Sequence, residues 1–289
     1  MPFRIRRREP ISKGLERVVR ERLNDVLDTL EDDDLADPNV HTARRRLKEV
    51  RATLRLFRRD LGDDVFKREN RTHRDSARPL SGLRDATALV HSFDNLVKHF
   101  ARRLQFQHIL AIRTFLVERR RVQRAEALRD QANIRRIARQ TRRARKRVKT
   151  WPLSDCGKRS IARGLRTVYL DGRRAMKIAN TAPADDALHE WRKRTKDLRY
   201  ALELLQSHAR DGSDAISMQA HELTNLLGDD HDLATLRTVV KRQNVTGAYQ
   251  VIALIDERRT ELQRESTALG RRLYREKPRR FVHCVLGRT

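Results

Sequence analysis

Only two cysteines, Cys156 and Cys284, occur in 289 residues, which leaves neither a disulfide framework nor the paired ligand spacing of a zinc finger. A reducing compartment fits that usage. Turn residues are scarce too: 11 Gly and 7 Pro are too few to punctuate the many short strands of a sandwich or barrel. The longest apolar run, Tyr249 to Ile255 with Gln250 inside it, falls far short of the roughly 20 residues that span a bilayer. No apolar stretch follows the basic N-terminus MPFRIRRREPISKG, so it does not read as a secretory signal, and a cytoplasmic location with no membrane partner is expected. Enzyme signatures are missing as well. There is no Gly-rich phosphate loop, no His-Glu-x-x-His pair and no Gly-x-Ser-x-Gly elbow. The expectation is therefore a protein without catalytic residues, cofactor or metal ligands.

What the chain has in excess is positive charge. Lys and Arg total 66 against 39 Asp and Glu, a formal charge of +27, and a polyanion is the expected partner. Apolar residues make up 38% and charged ones 36%, a balance that would suit a disordered chain were the apolar positions not spaced helically. An all-α fold is expected, and the length suits two packed halves.

Breaks fall at Asp37-Pro38, Leu61-Gly62, Trp151-Pro152, Ala182-Pro183, Asp211-Gly212, Gly228 and Gly247. Asn39 and Asp185 are candidate caps of two long helices, the second with Pro183 just ahead of it. From Asn95 to Lys149 a continuous, very basic pattern with a sparse stripe at Val122, Ala125, Leu128, Ile134 and Ile137 reads as one helix or two. The expected domains are 1–150 and 151–289, with the boundary near Trp151-Pro152.

An internal repeat supports that division. HTARRRLKEVRATLRL from His41 matches HEWRKRTKDLRYALEL from His189, roughly half the chain later. LSGLRDATAL from Leu80 and LGDDHDLATL from Leu227 follow at nearly the same offset, aligning Asp85 with Asp232. The unit is several helices long, so duplication of a helical bundle explains it better than a solenoid.

At about 100° per residue, with His41 at zero, Arg44, Lys48, Arg51, Arg55 and Arg58 fall between about 260° and 340°. Ala43, Leu47, Val50, Leu54, Phe57 and Leu61 fall between about 160° and 240°, the face that enters the core. In the second repeat His189, Arg192, Lys196 and Arg199 share one arc beside Trp191, Leu198, Leu202 and Leu205. Cations held next to the core repel one another by about 0.2–0.5 kcal/mol per adjacent pair, a penalty that a bound polyanion would remove. The plain alternative is a bundle rim covered by long basic side chains with their charges in water. Glu203 could pair with Arg199 and weaken the second stripe.

His41 and His189 head the two stripes, where an imidazole could donate to a phosphate oxygen and free first-turn N–H groups favour anions. Capping or packing fits them equally well. His231 aligns with Arg84, and both read as secondary contacts. Asp85 and Asp232 fit helix-start or intrahelical pairing better than catalysis. The acidic groups Glu31 to Asp34 and Asp229-Asp230-His231-Asp232 offer metal-ligand types, but solvation of the first and capping by the second explain them as well.

These residues resemble the CHAD family, the histidine-containing α-helical domain. The resemblance rests on His41-x-x-Arg44-x-x-x-Lys48-x-x-Arg51, Leu80 to Asp85, His189-x-x-Arg192-x-x-x-Lys196-x-x-Arg199-Tyr200, and Leu227-Gly228 to Asp232, and it covers nearly the entire chain. It implies two pseudo-symmetric bundles of four main helices, a basic central cavity or pore, and binding of inorganic polyphosphate at polyphosphate granules without established catalysis. The implied contacts are His41, Arg44, Lys48, Arg51, Arg55, Arg84, His189, Arg192, Lys193, Lys196, Arg199 and His231. Glu49 after Lys48 and Asp197 after Lys196 depart from the family pattern, each an acid where many relatives have a base or a small residue, and Ser81 stands where the second repeat has Gly228. Relatives often carry a triphosphate-processing domain ahead of this module; this chain begins almost at the first bundle, so a stand-alone binder is expected.

Nucleic-acid backbone binding is the chief rival, since net charge permits it and Arg135 to Lys149 could grip any phosphate chain. Aromatics are only 5%, and Phe57 and Trp191 lie on apolar faces, so no stacking platform is evident. Metal-dependent phosphate hydrolysis is a more distant alternative.

Overall fold

The computed structural model describes residues 2–31, 37–243 and 247–287. Among them there are twelve α-helices and no strand. In chain order they are α1 (Ile11–Glu31), α2 (Asp37–Leu56), α3 (Arg58–Leu61), α4 (Asp63–Ala77), α5 (Ser81–His99), α6 (Phe106–Arg129), α7 (Gln131–Arg147), α8 (Lys158–Thr181), α9 (Asp185–Leu204), α10 (Asp214–Gln243), α11 (Ala248–Leu273) and α12 (Pro278–Leu286). No described helix is long and apolar enough to cross a membrane. The acidic run 32–34 lies outside the described residues.

The apolar arcs read from the wheel are the faces that are buried. Leu47, Val50, Leu54 and Phe57 of the first repeat and Trp191, Leu198 and Leu205 of the second are sealed from solvent. α2 packs between α1 and α4, with α7 closing the ring against both; α9 packs between α8 and α10, with α11 along α10. The α5–α6 hairpin leans on α10 and α11 more than on α2. Its Leu89, Phe93, Leu96 and Leu116 form a second apolar cluster with Leu236, Val251 and Ile255. The larger cluster joins Leu47, Val50 and Leu54 to Trp191, Leu198 and Leu202, and α2 and α9 pack against each other there.

Several local expectations are corrected. Gly228 does not break a helix: α10 runs through it, because its neighbours Leu223, Leu227 and Leu236 bury one continuous face. The Asn95–Lys149 pattern is broken near Phe100 and again at Asp130, whose side chain accepts from Asn133 N–H at the start of α7. α2 begins at Asp37, so Asn39 lies inside its first turn, and Asp185 is the first helical residue after the cap position Ala184. α2 ends at Leu56, so Arg58 opens a new short helix and pairs with Asp63 at 3.0 Å instead of extending the stripe.

Ion pairs lock this frame. Glu69, fully buried, accepts two bonds of 2.8 Å from Arg147 and joins α4 to α7. Asp230 accepts from Arg259 at 3.0 Å and Gln263 at 2.9 Å, tying α10 to α11. The N-terminal segment closes the far end of α9: Ile5 N–H donates to the Leu204 carbonyl at 3.0 Å, satisfying one of the helix's terminal acceptors.

α8 approaches α2 so closely that a Cβ on Gly164 would overlap the Leu56 carbonyl oxygen. Backbone on both sides cannot yield, so Gly164→Ala is expected to cost about 1–3 kcal/mol and lower the thermal midpoint by several degrees in a far-UV melt.

Candidate functional site

α2 and α9 turn their basic arcs toward a shared region. The Lys48 ammonium sits among the charges of Arg44, Arg84 and Arg192, and Lys196 sits among Arg192, Lys48 and Arg199. Among the described residues neither lysine has a hydrogen-bond or ion-pair partner. Arg44 reaches Asp85 at 3.8 Å through one nitrogen, while its Nε and Nη1 are buried with no partner; Arg192 Nε is likewise buried and unmatched. Buried donors without acceptors are costly, so their convergence marks a place where acceptors from elsewhere would be held.

The titration behaviour follows from this packing. Burial, then the cations Arg44 and Arg192, push the Lys48 ammonium down to about 8. Lys196 is driven well below the ordinary lysine range by the same causes. Arg44 and Arg192 are also lowered by burial, with Asp85 opposing the shift in the first and Asp232 in the second. Burial raises Asp85, its nearest cations opposing, and Asp232 adds to the rise.

The histidines occupy matched places. Arg84 Nε donates to His41 Nδ1 at 2.9 Å, and in the equivalent position His189 Nδ1 meets His231 Nδ1 at 3.2 Å. An imidazole nitrogen that accepts from a guanidinium carries no proton, so His41 presents Nε2–H. Burial lowers His41 and His189, with Arg84 and Arg192 adding to it, and brings His231 to about 4. Both His41 and His189 lie one residue past the first turn of their helices, so the expected free backbone N–H groups are not theirs to offer. The group Asp229 to Asp232 stands in the middle of α10, which rules out capping as its explanation. Among the described residues no three His, Cys, Asp or Glu side chains converge as a metal site requires.

The structure thus brings together His41, Arg44, Lys48, Arg84, His189, Arg192, Lys196 and His231. The remaining candidates have other engagements. Arg51 donates through Nε to Asn70 at 3.0 Å, and burial beside Arg55 lowers it to about 10. Arg55 pairs with Asp197 at 3.0 Å. Lys193 is exposed and bonds to Glu190. Arg199, at the edge of the cluster where its charge reaches Lys196, does not form the expected pair with Glu203 but lies over the Tyr200 ring, 5.4 Å from its centroid. Glu49 turns away from the cluster to Arg46 at 3.1 Å and Arg22 at 3.6 Å.

Sequence reasoning missed a concavity of about 810 Å³, apart from this cluster, whose lining includes Arg55, Asn70, Arg163, Arg194 and Asp197. Four of its five arginines are matched by acids: Arg163 to Asp60 at 2.7 Å, Arg58 to Asp63, and Arg55 and Arg194 to Asp197; Arg59 is exposed at its edge. Asp60 and Asp197 stand near Arg163 and Arg55 only through tertiary packing, so no local spacing announced those pairs.

A family model for the CHAD domain matches residues 17–241. Among solved structures the chain is similar to PptA from Streptomyces chartreusis, at 15% identity and a TM-score of 0.68, over 93% of this chain and 100% of that one. It is also similar to the CHAD domain from the plant Ricinus communis, at 18% identity and a TM-score of 0.62, over 95% and 96% of the two chains. These likenesses are of fold. Comparison with curated proteins gives no match.

Half-buried lysines held among more cations than carboxylates destabilise the free protein. Because Lys48 titrates at about 8 when folded and near 10.5 when unfolded, the unfolded state binds more protons between those values, and stability rises with pH across that window. Lys48→Met is expected to raise stability at pH 7 by about 1–2 kcal/mol and to flatten the rise toward pH 10, read from thermal melts at several pH values.

Proposed function

The chain belongs to the CHAD domain family, and from that premise we propose that it binds inorganic polyphosphate without catalysing a reaction on it. The observation that carries this reading is the set Arg44, Lys48, Arg192 and Lys196: four half-buried cations from two helices, with unmatched guanidinium nitrogens and only the partial compensation of Asp85 and Asp232. A chain of phosphates supplies closely spaced acceptors that a single carboxylate does not. Arg84 and the histidines His41, His189 and His231 add donors around the same region. The matched His41–Arg84 and His189–His231 contacts support reading the two halves as a duplicated unit, with α2 and α9 lining its basic cavity. Cytoplasmic residence at polyphosphate granules belongs to the same proposal.

The competing reading is a nucleic-acid backbone, favoured by the exposed Arg135, Arg139, Arg143, Lys146 and Lys149 along α7 and just beyond its end. That row is solvated, whereas the inner cations are half-buried and only partly matched. The inner set gains more from an anion, and Phe57 and Trp191 are buried in the core, out of reach of a base.

Calorimetric titration with size-defined polyphosphates tests the reading, with orthophosphate and RNA as controls. Polyphosphate is expected to bind tightly and RNA to fail to displace it at equal phosphate concentration and physiological salt; displacement by RNA favours the rival. Replacing Arg44, Lys48, Arg192 and Lys196 together with Ala is expected to abolish tight binding with helicity retained.

Binding is also expected to take up protons, because a polyanion restores the charge of Lys48 and of imidazoles held neutral in the free protein. Affinity should therefore rise as pH falls from 9 to 6, and the calorimetric enthalpy should vary with the ionisation enthalpy of the buffer. An enthalpy independent of buffer at pH 8 would contradict that linkage.

A further inference from the structure

The basic arc of α2 runs about 16 Å from Arg44 to Arg55, yet its two ends are in different electrostatic states. At the Arg44–Lys48 end Arg44 has one long pair, to Asp85 at 3.8 Å, and among the described residues its Nε and Nη1 and the Lys48 ammonium have no partner. At the Arg51–Arg55 end one carboxylate meets three guanidinium groups: Asp197 bonds to Arg55 at 3.0 Å, lies 3.5 Å from Arg194, and stands close enough to Arg51 to offset its charge. Asp197 is 8% exposed, and its Oδ2, though near Arg194, accepts no hydrogen bond. It directly follows Lys196 of the inner basic cluster and itself lines the 810 Å³ concavity with Arg55, Asn70 and Arg194. An anion buried among three arginines, with acceptor capacity in reserve, occupies the place that a phosphate would take if the basic track continued.

We infer that Asp197 is a built-in anion that ends the phosphate-binding track beyond Lys48 and Lys196, so that the site grips a short segment of chain and gains little from phosphates further along. The inference rests on the polyphosphate reading above and adds a length limit to it. The concavity is a poorer polyanion site for the same reason: of its arginines, Arg55, Arg58, Arg163 and Arg194 are already matched by Asp197, Asp63 and Asp60, and the exposed Arg59 remains. Glu49, the corresponding acid after Lys48, sets no such limit, because it is turned to Arg22 and Arg46 on the opposite side of α2 from the arginines of the track.

The test compares wild type with Asp197→Asn, titrated with tripolyphosphate and with long-chain polyphosphate. Wild type is expected to bind both with similar affinity per chain. Asp197→Asn, which keeps the shape and removes the charge, is expected to bind tripolyphosphate as wild type does and long chains about tenfold more tightly, or about 1.4 kcal/mol. Adding Arg55→Gln to that variant is expected to remove the gain, because the released guanidinium is its source. The variant should melt lower than wild type when free and recover on addition of long-chain polyphosphate.

Equal long-chain affinity in wild type and Asp197→Asn, with tripolyphosphate bound by both, overturns the inference and leaves the polyphosphate reading standing. Failure of both proteins to bind tripolyphosphate overturns that reading and the inference with it. Loss of the folded state in both Asp197→Asn and Asp197→Ser assigns the carboxylate to holding α2 and α9 together, and also overturns the inference.

Discussion

Repulsion between half-buried cations across the α2–α9 contact is the constraint around which this molecule is organised. Arg44, Lys48, Arg192 and Lys196 are held within reach of one another's charge, and left alone they would drive the two helices apart. The apolar arcs beside them oppose that force: Leu47, Val50, Leu54, Trp191 and Leu198 share one cluster, and a large side chain that is fully buried contributes about 1.5–3 kcal/mol. The core thus fixes the cations in a geometry that they would not adopt by themselves, so a ligand meets donors that need little reorganisation.

The distribution of carboxylates serves the same end. Acids are plentiful in the frame, where Glu69 holds Arg147, Asp230 holds Arg259 and Glu49 holds Arg22 and Arg46. Breaking such buried pairs is costly because the surviving charge is stranded, so they bind helix to helix with little tolerance for substitution. Near the inner lysines the acids are fewer, and the most intimate pair there, Arg44 with Asp85, is long at 3.8 Å. Scaffold arginines are neutralised by design of the packing; the inner cluster is left with an excess.

Most of this frame could be read from residue order. The all-α fold and the buried arcs of α2 and α9 follow from a period of about 3.6 residues applied to Leu47, Val50, Trp191 and Leu198, while the facing of the two basic stripes was implied only by the family resemblance. What spacing could not supply was the outcome of competition between partners. Arg55 and Arg44 occupy the same arc of one helix, yet Arg55 is matched by an acid from α9 and Arg44 keeps two unmatched nitrogens. The run through Gly228 was misread because a lone glycine costs a helix only about 1 kcal/mol, less than the apolar face of α10 returns by burial. The α5–α6 hairpin leans on α10 and α11 for the same reason: its apolar residues find their complement in Leu236, Val251 and Ile255, a pairing that no local pattern encodes.

Burial also separates the two basic features of the surface in kind. Exposed charges such as Arg135, Arg139 and Lys146 are screened over about 8 Å at physiological ionic strength, so their hold on any anion fades as salt rises. The inner cations sit among protein atoms and are screened far less, which makes each contact there stronger and each missing contact costlier. The same surroundings that raise the value of a bound phosphate lower the charge carried without one, as the shift of Lys48 to about 8 records. On the proposed reading, attraction for a polyanion and relief of self-repulsion are two aspects of one arrangement: burial and like charge ease the Lys48 proton off above about pH 8, and an anion beside it would favour keeping that proton.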